Sequence, residues 1–299
     1  MVVVFGSINL DLVAQVLRIP APGETLAGQS FSMVPGGKGA NQALAASRAG
    51  AKVAIIGAVG RDAFATNALA NLEASGVDLA GVVATDSSTG IALIHVDSKG
   101  ENSITVIAGA NGDARAAQVP VELLGPATTL VLQLEVPMAQ VMELAMRARL
   151  RGTRVVLNAA PAVPLSEDLL SLVSTLIVNE GEAAIVGAAL GLPTLPDLFA
   201  KAAAARFQCG VVVTLGSAGA IAVRDNEHIL VAAPSTAVVD TTGAGDALVG
   251  AFAAALDRGA SLRQALTEGI AAGSLACTGR GAQAALPDRG AIMRLAATL

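Results

Sequence analysis

Tryptophan and tyrosine are absent from this 299-residue chain, and phenylalanine occurs only six times. A sugar ring or base bound here cannot stack on Trp or Tyr, so polar side chains and aliphatic walls must do the recognising. The two histidines, His95 and His228, have no partner at metal or triad spacing and are assigned no role. The two cysteines, Cys209 and Cys277, lie far apart without CxxC spacing, and a reduced, cytoplasmic protein is the expectation. No Lys/Arg cluster stands out and the net charge is −5, which argues against nucleic acid as a partner. The run Arg147, Arg149, Arg151, Arg154 reads as solvated charge around a helix C-terminus, with a phosphate site as the alternative. Hydrophobic residues make up 53 %, but charges interrupt them and no run approaches the roughly 20 residues of a membrane span. Met1 to Gly6 has neither a basic n-region nor a cleavage site and reads as a first strand rather than a signal peptide.

What is present is a rhythm. Short β-branched runs (Val2–Phe5, Val53–Ala58, Leu130–Leu134, Val155–Leu157, Leu176–Val178, Val211–Thr214, Ile221–Val223) alternate with alanine-rich helical runs. The latter are Ala40–Arg48, Asp62–Ala74, Met138–Arg149, Glu180–Val186, Asp197–Arg206, Ala247–Leu256, Leu262–Ala276 and Ala291–Ala297. Strands buried on both faces, each followed by a helix, predict an α/β fold with a mostly parallel sheet and helices on both sides. Two segments break the rhythm. Residues 9–33 carry little helical signal, and residues 88–107 read as a hairpin about the turn Asp97-Ser98-Lys99-Gly100. Together they predict a small sheet projecting from one domain spanning 1–299, either a lid over a site or a surface that pairs with its copy in a dimer.

The most informative stretch is Asp240-Thr241-Thr242-Gly243-Ala244-Gly245-Asp246, leading into an apolar helical run. A glycine-rich turn opening a helix points backbone N–H groups, at the positive end of the helix dipole, towards an anion. An aspartate at its lip can take a proton from an incoming hydroxyl, so one segment holds an anion hole and a base; the plain alternative is an ordinary helix start. Gly36-Gly37-Lys38-Gly39-Ala40-Asn41-Gln42 is a second glycine-rich turn into a helix. It is neither a Walker A loop nor GxGxxG, but Asn41 can donate and accept, which suits a sugar hydroxyl. Asn9-Leu10-Asp11 follows the first strand, at the sheet edge where ligands bind, or forms an Asx turn there. Glu135 ends a strand and could hold a hydroxyl pair or cap the next helix. Asn179 and Glu182 have capping-box spacing, or could order magnesium-bound water near phosphates. Thr214-Leu215-Gly216-Ser217-Ala218-Gly219 is a plain hairpin turn or a slot for a nucleotide.

In chain order these segments, with Gly6-Ser7-Ile8-Asn9, Pro22-Gly23-Glu24-Thr25, Ala108-Gly109-Ala110-Asn111 and Asn158-Ala159-Ala160-Pro161-Ala162, strongly resemble the PfkB family of carbohydrate kinases over nearly the whole chain. The resemblance implies a three-layer αβα domain with a β-sheet lid, often dimeric through that lid, and ATP-dependent phosphorylation of the ribose 5-hydroxyl. Asn9, Leu10 and Asp11, Gly37 to Asn41, and Glu135 would form the sugar site. Asp246 would be the base, and the amides of Gly243, Ala244, Gly245 and Asp246 the anion hole. Asn179 and Glu182 would serve Mg²⁺ and the phosphates, and Thr214 to Gly219 the nucleotide. A potassium site would use Asp240, Thr242, Ala276, Gly279, Gly281 and Ala285. The sequence departs from the family in two places: Ala285 replaces a serine that often completes the cation site, and Ile270 replaces a His or Asn near the adenine. A kinase acting on another sugar or a nucleoside is the alternative. A non-catalytic sugar sensor is the distant one, since it could dispense with the base and the anion hole.

Overall fold

The computed structural model describes residues 1–299. Along the chain run β1 (Val2–Phe5), β2 (Asn9–Gln15), β3 (Ser30–Gly36), α1 (Lys38–Arg48), β4 (Val53–Gly60), α2 (Ala63–Ala74), β5 (Asp78–Thr85), β6 (Gly90–Val96), β7 (Asn102–Ile107) and β8 (Thr129–Leu132). There follow α3 (Met138–Leu150), β9 (Arg154–Asn158), α4 (Glu167–Leu172), β10 (Thr175–Asn179), α5 (Glu180–Leu190), α6 (Pro196–Phe207), β11 (Gly210–Thr214), β12 (Ala220–Arg224), β13 (Glu227–Val231), α7 (Ala244–Asp257), α8 (Leu262–Ala276) and α9 (Arg289–Ala296).

A nine-stranded sheet has the order β13-β12-β11-β10-β9-β8-β1-β4-β5. From β11 to β5 every pairing is parallel; only β12 and β13 run against their neighbours. The twofold alternation of a strand divides the core. Val2 and Val4 of β1 join one cluster, packed beneath α1, α2, α7, α8 and α9, while Val3 and Phe5 join another beneath α3, α4, α5 and α6. This is the expected three-layer α/β arrangement. Leaving β1, the chain builds β4 and β5 on one side and then returns to β8 on the other. Such a reversal opens a crevice outside the carboxyl ends of the strands. At that edge stand Ser7, Gln133, Glu135, Asn158 and Asn179.

The segments that interrupt the helical rhythm form a separate four-stranded sheet, β3-β2-β6-β7. Within it β2 is antiparallel to β3 and parallel to β6, and β6 and β7 form a hairpin.

Several boundaries differ from expectation, each for a physical reason. β8 stops at Leu132, so Gln133 to Glu135 leave the sheet. Asp62 precedes α2 and caps it, accepting from the N–H groups of Phe64 and Ala65. α4 is too short for a helical period to show. β5 is an edge strand interrupted by Gly81, and β13 opens on Glu227 and His228, so neither carries an apolar run. The arginine run is only partly solvated charge. Arg147 donates to the carbonyls of Ala116 and Val119, and Arg154 to the Leu256 carbonyl and Thr129. Arg149 and Arg151 are exposed, as expected.

α1 and α7 lie side by side over the sheet with almost nothing between them. A methyl group on Gly250 of α7 would come within 2.5 Å of Ala45 Cβ, 2.6 Å of the Gln42 carbonyl oxygen and 2.7 Å of the Ala46 nitrogen. Two of these atoms are backbone, so only movement of a helix could make room. Gly250→Ala is therefore expected to lower the unfolding free energy by about 1–3 kcal/mol in denaturant titrations. Unchanged stability would show that the contact is not tight.

Candidate active site

Both glycine-rich turns start a helix from a glycine with positive φ: Gly37, at 87°, precedes α1, and Gly243, at 78°, precedes α7. Neither position has room for a side chain. A Cβ on Gly37 would meet Asn9 N at 2.8 Å, and one on Gly243 would meet Ala282 Cα at 2.7 Å.

The two helix starts differ in what their amides do. At α1 the protein uses them. Lys38 N–H donates to Glu135 Oε2 (3.1 Å), Gly39 N–H to Ser7 Oγ (3.2 Å) and Ala40 N–H to the Ser7 carbonyl (2.9 Å). Ser7 Oγ in turn donates to Glu135 Oε2 at 2.5 Å. Glu135 thus caps α1 rather than the helix that follows it. At α7, Ala244 N–H reaches the Thr241 carbonyl at 3.2 Å, but the N–H groups of Gly243, Gly245 and Asp246 donate to no group of the protein. An open set of amides at a helix N-terminus attracts an anion.

Asp246 lies in the first turn of α7 and is only 8 % exposed. Asn41 Nδ2 donates to its Oδ2 and Gln42 Nε2 to its Oδ1, each at 2.9 Å. Burial pushes the Asp246 carboxyl up from the ordinary range; Lys38 and the two amide donors oppose that shift, and Glu135 adds to it. Asp11 is pushed up to about 6, first by burial and then by Glu135 and Asp246. Burial would lower Lys38, but Asp246, Glu135 and Glu182 outweigh it and raise its pKa. Glu182 is also raised, by burial first, against the Asn179 N–H and Lys38. Three carboxylates, Asp246, Glu135 and Glu182, therefore act on one ammonium beside the open amides, and Asp11 adds a fourth acid next to Glu135 and Asp246.

Beside them is a cavity of ≈ 150 Å³, lined among others by Lys38, Asn179, Glu182, Thr214, Gly245 and Asp246. A larger cavity, ≈ 660 Å³, lies between β13, α8 and α9. There the Arg258 charge is already paired with Glu268 at 2.5 Å, and no acid sits beside free amides, so the chemistry assigns the site to the smaller cavity.

The chain matches the model of the pfkB family carbohydrate kinases over residues 1–289. It is 38 % identical to ribokinase of Schizosaccharomyces pombe, over 96 % of this chain and 95 % of that one. To ribokinase of Haemophilus influenzae it is 37 % identical, with the same coverages. Deoxyribokinase of Salmonella typhi is 33 % identical over 96 % and 95 % of the two chains. Among solved structures, ribokinase of Thermotoga maritima superposes with a TM-score of 0.91, covering 98 % of each chain at 30 % identity. Arabidopsis thaliana ribokinase, complexed with ribose and ATP, superposes with a TM-score of 0.88 at 30 % identity, covering 99 % of this chain and 98 % of that one.

The chain belongs to the pfkB family of carbohydrate kinases.

Within this carbohydrate kinase the fold brings most of the sequence-predicted residues together. Asn9, Asp11, Lys38, Asn41, Glu135, Asn179, Glu182, Thr214 and the α7 start all lie at the carboxyl edge of the large sheet or on the small sheet joined to it. Leu10 and Ala40 are wholly buried, so either could offer a ligand only its backbone. The Asn179–Glu182 capping box is formed, with both bonds at 2.8 Å, and Glu182 still faces the cavity. Of the segment Thr214 to Gly219, only Thr214 lines that cavity. Leu215 to Gly219 make a tight 3₁₀ turn between β11 and β12, closed by Leu215 N–H on the Gly219 carbonyl at 2.8 Å. Ile270 packs in the core at 3 % exposure.

The expected cation-site residues form one cluster. Asp240 accepts from the Gly281 N–H (2.9 Å), the Thr242 N–H (2.9 Å) and the Thr242 hydroxyl (2.7 Å). Burial would raise its carboxyl, but these donors and Arg280 hold it below the usual range. A Cβ on Gly279 would touch Ala285 Cβ at 2.9 Å, so those two positions adjoin.

Sequence reasoning gave no role to Ser7, Gln42, Asn111, Gln133, Asn158 or Gln283. Asn111 Oδ1 accepts from the Ile8 N–H at 2.8 Å and its Nδ2 donates to Asn9 Oδ1 at 2.6 Å, which leaves the Asn9 amide nitrogen free to donate. Five of the six stand inside or beside quoted motifs, but nothing in residue spacing told them from turn residues.

The raised Asp11 pKa has a consequence for stability. Between the ordinary value of 3.8 and about 6 the folded state binds more protons at Asp11 than the unfolded state, so this residue's contribution to stability falls as pH rises through that window. Asp11→Asn should therefore raise the thermal midpoint at pH 7, and the gain should vanish near pH 4. A gain that persists at low pH would contradict this origin.

Proposed function

We propose that this chain is an ATP-dependent ribokinase: it transfers the γ-phosphoryl group of ATP to the 5-hydroxyl of D-ribose, giving D-ribose 5-phosphate and ADP. One observation carries the reading. A buried carboxylate, Asp246, stands beside helix-start amides that the protein leaves open, in a chain related to ribokinases over almost all its length.

The chemistry follows from that placement. The sugar 5-oxygen attacks the γ-phosphorus, its proton passes to the Asp246 carboxylate, and the bond from the γ-phosphorus to the β,γ-bridging oxygen breaks, leaving that electron pair on ADP. Burial makes Asp246 a stronger base than a solvated aspartate, while the N–H donors of Asn41 and Gln42 hold it ionised and in line. The open amides of Gly243, Gly245 and Asp246 face the negative charge of the transferring group, and the Lys38 ammonium adds a point charge beside them. Asn9, Asp11, Asn41 and Glu135 would hold the sugar hydroxyls, Asp11 and Glu135 as acceptors and the Asn9 amide nitrogen as a donor.

A site with four carboxylates and one lysine repels a polyphosphate unless a cation intervenes. Glu182, with Asn179 beside it, fits a hydrated Mg²⁺ carried on the phosphates, an ion that keeps most of its waters. It would neutralise phosphate charge. The oxygens around Asp240 fit a monovalent cation such as K⁺; the carbonyls of Ala276 and Gly281 accept only long bonds of 3.4 and 3.3 Å and have capacity left, and Ala285 offers backbone alone. Such a cation would strengthen the positive field at the α7 start.

The small sheet, built from segments within 9–33 and 88–107, acts in this reading as a lid that excludes water as a competing acceptor. Its Asp11-bearing face runs on through Val13, Ile94, Ile104 and Val106, the last two 53 % and 56 % exposed. A second copy's sheet is the natural cover for it. Sedimentation equilibrium should give a homodimer, and a monomer at micromolar concentration would remove this part of the reading. The two unpaired cysteines suit a reducing, cytoplasmic setting.

Asp246→Asn should keep the fold and lose about 10²-fold or more in kcat; near-normal turnover would end its role as the base. An ADP-release assay over ribose, 2-deoxyribose, fructose, adenosine and pseudouridine should give the highest kcat/KM with ribose. The deoxyribokinase relative makes 2-deoxyribose the sharpest competitor. Run in potassium and in sodium, the same assay should favour potassium; indifference would show that Ala285 has altered that site.

A further inference from the structure

The Asp246 carboxylate is where two lines of carboxamides converge, all buried except the half-buried Asn71. In the first, Asn71 Nδ2 donates to Gln283 Oε1 (2.9 Å), Gln283 Nε2 to Asn41 Oδ1 (3.0 Å), and Asn41 Nδ2 to Asp246 Oδ2. In the second, Gln133 Nε2 donates to Gln42 Oε1 (2.8 Å), and Gln42 Nε2 to Asp246 Oδ1. Every bond in both lines points its N–H towards the carboxylate.

That direction has to be imposed. A carboxamide is nearly symmetric in shape but has an acceptor at one end and donors at the other. Nothing in the shape of Asn41 decides which end meets Asp246. If its Oδ1 faced the carboxylate, two acceptors would oppose each other in a buried site, and the base would lose a donor. The carboxylate, an acceptor only, already favours the N–H₂ end, and Gln283 holds Asn41 in that setting from behind. Its own oxygen accepts from Asn71 and its nitrogen donates to Asn41 Oδ1. Gln283 is wholly buried and lies outside the cavity lining, beyond reach of a substrate there.

We propose that Gln283 is a positioning residue for phosphoryl transfer, acting by locking the Asn41 amide with its N–H₂ group towards Asp246 and the sugar pocket. The proposal rests on the reading of Asp246 as the base. The segment carrying Gln283 does not depend on its side chain for anchorage. Arg48 Nη1 donates to the carbonyls of Gln283 (2.9 Å) and Leu286 (2.8 Å), and Gly281 N–H is held by Asp240. Removing the amide therefore frees Asn41 without releasing the loop.

The test is a double-variant cycle on the full chain. Gln283→Leu should lower kcat about tenfold, with the ATP KM nearly unchanged. In an Asn41→Ala background, which has no amide left to orient, the same change should cost nothing further. A purely structural role would instead multiply the two losses. Gln283→Met, closer in length to glutamine, serves if the leucine variant does not fold. Wild-type kcat in the folded variant, or a double variant whose loss is the product of the singles, would overturn the assignment. Asp246→Asn in the same assay separates the two readings. Turnover by that variant would fail the base itself, whereas an inactive Asp246→Asn beside an unaffected Gln283 variant would fail only the positioning role.

Discussion

The close passage of α1 over α7 is the constraint on which the site depends. With a hydrogen at position 250, the backbone of Gln42 and Ala46 can lie against α7 at a distance no side chain permits. Asn41 and Gln42, one turn into α1, then reach the first turn of α7 and grip both oxygens of Asp246. Small residues run along both helices, Ala43, Ala45 and Ala46 on one and Ala247, Ala251 and Ala254 on the other, all buried. The alanine-rich composition is thus partly a packing requirement. Bulkier helices would separate the amides from the acid they orient.

The site runs against stability. Burial raises Asp11, Glu182 and Asp246 above the ordinary carboxylate range, and Lys38 alone offsets several negative charges. A structure selected only for stability would place apolar groups or paired ions here. Glu182 and Asp246 line one small cavity, with Asp11 coupled to Asp246 beside it, a convergence of acids that points to a binding role rather than to stability. The order of donors supports this: Asp246 is hydrogen-bonded at both oxygens yet stands beside amides that remain open.

Much of this was legible in the sequence, for reasons that can be named. β1, β4 and β9 to β12 are short apolar runs buried on both faces, and such runs carry their own signal. The α7 start was legible as a helix start because a glycine-rich turn runs there into an apolar helical stretch. β5, β13 and α4 were not, since an edge strand carries no continuous apolar run and a six-residue helix shows too little period. The amide network was illegible for a different reason. Asn71 in α2, Gln133 after β8 and Gln283 between α8 and α9 are far from one another in sequence, and only the fold leads their hydrogen bonds, through Asn41 and Gln42, to Asp246. Isolated carboxamides in a sequence look like surface residues, and only burial shows otherwise. Glu135 left two readings open, and the fold realises a version of one: it caps a helix, but one that starts almost a hundred residues earlier.

The two glycine turns illustrate how one local motif acquires two uses. Each begins a helix from a left-handed glycine and so presents main-chain amides at a helix start. At α1 the amides of Lys38, Gly39 and Ala40 are closed off by Glu135 and Ser7, a carboxylate and the turn that follows β1. That helix start is spent on structure: it fixes where Asn41 and Gln42 stand. At α7 no side chain enters, because Gly243 and Gly245 have none and Asp246 is turned towards α1 by its two amide donors. The bonds that orient the acid also keep it from capping its own helix, and so leave that helix's amides available to a phosphate. The orientation of Asp246 and the openness of the α7 amides are therefore one structural event.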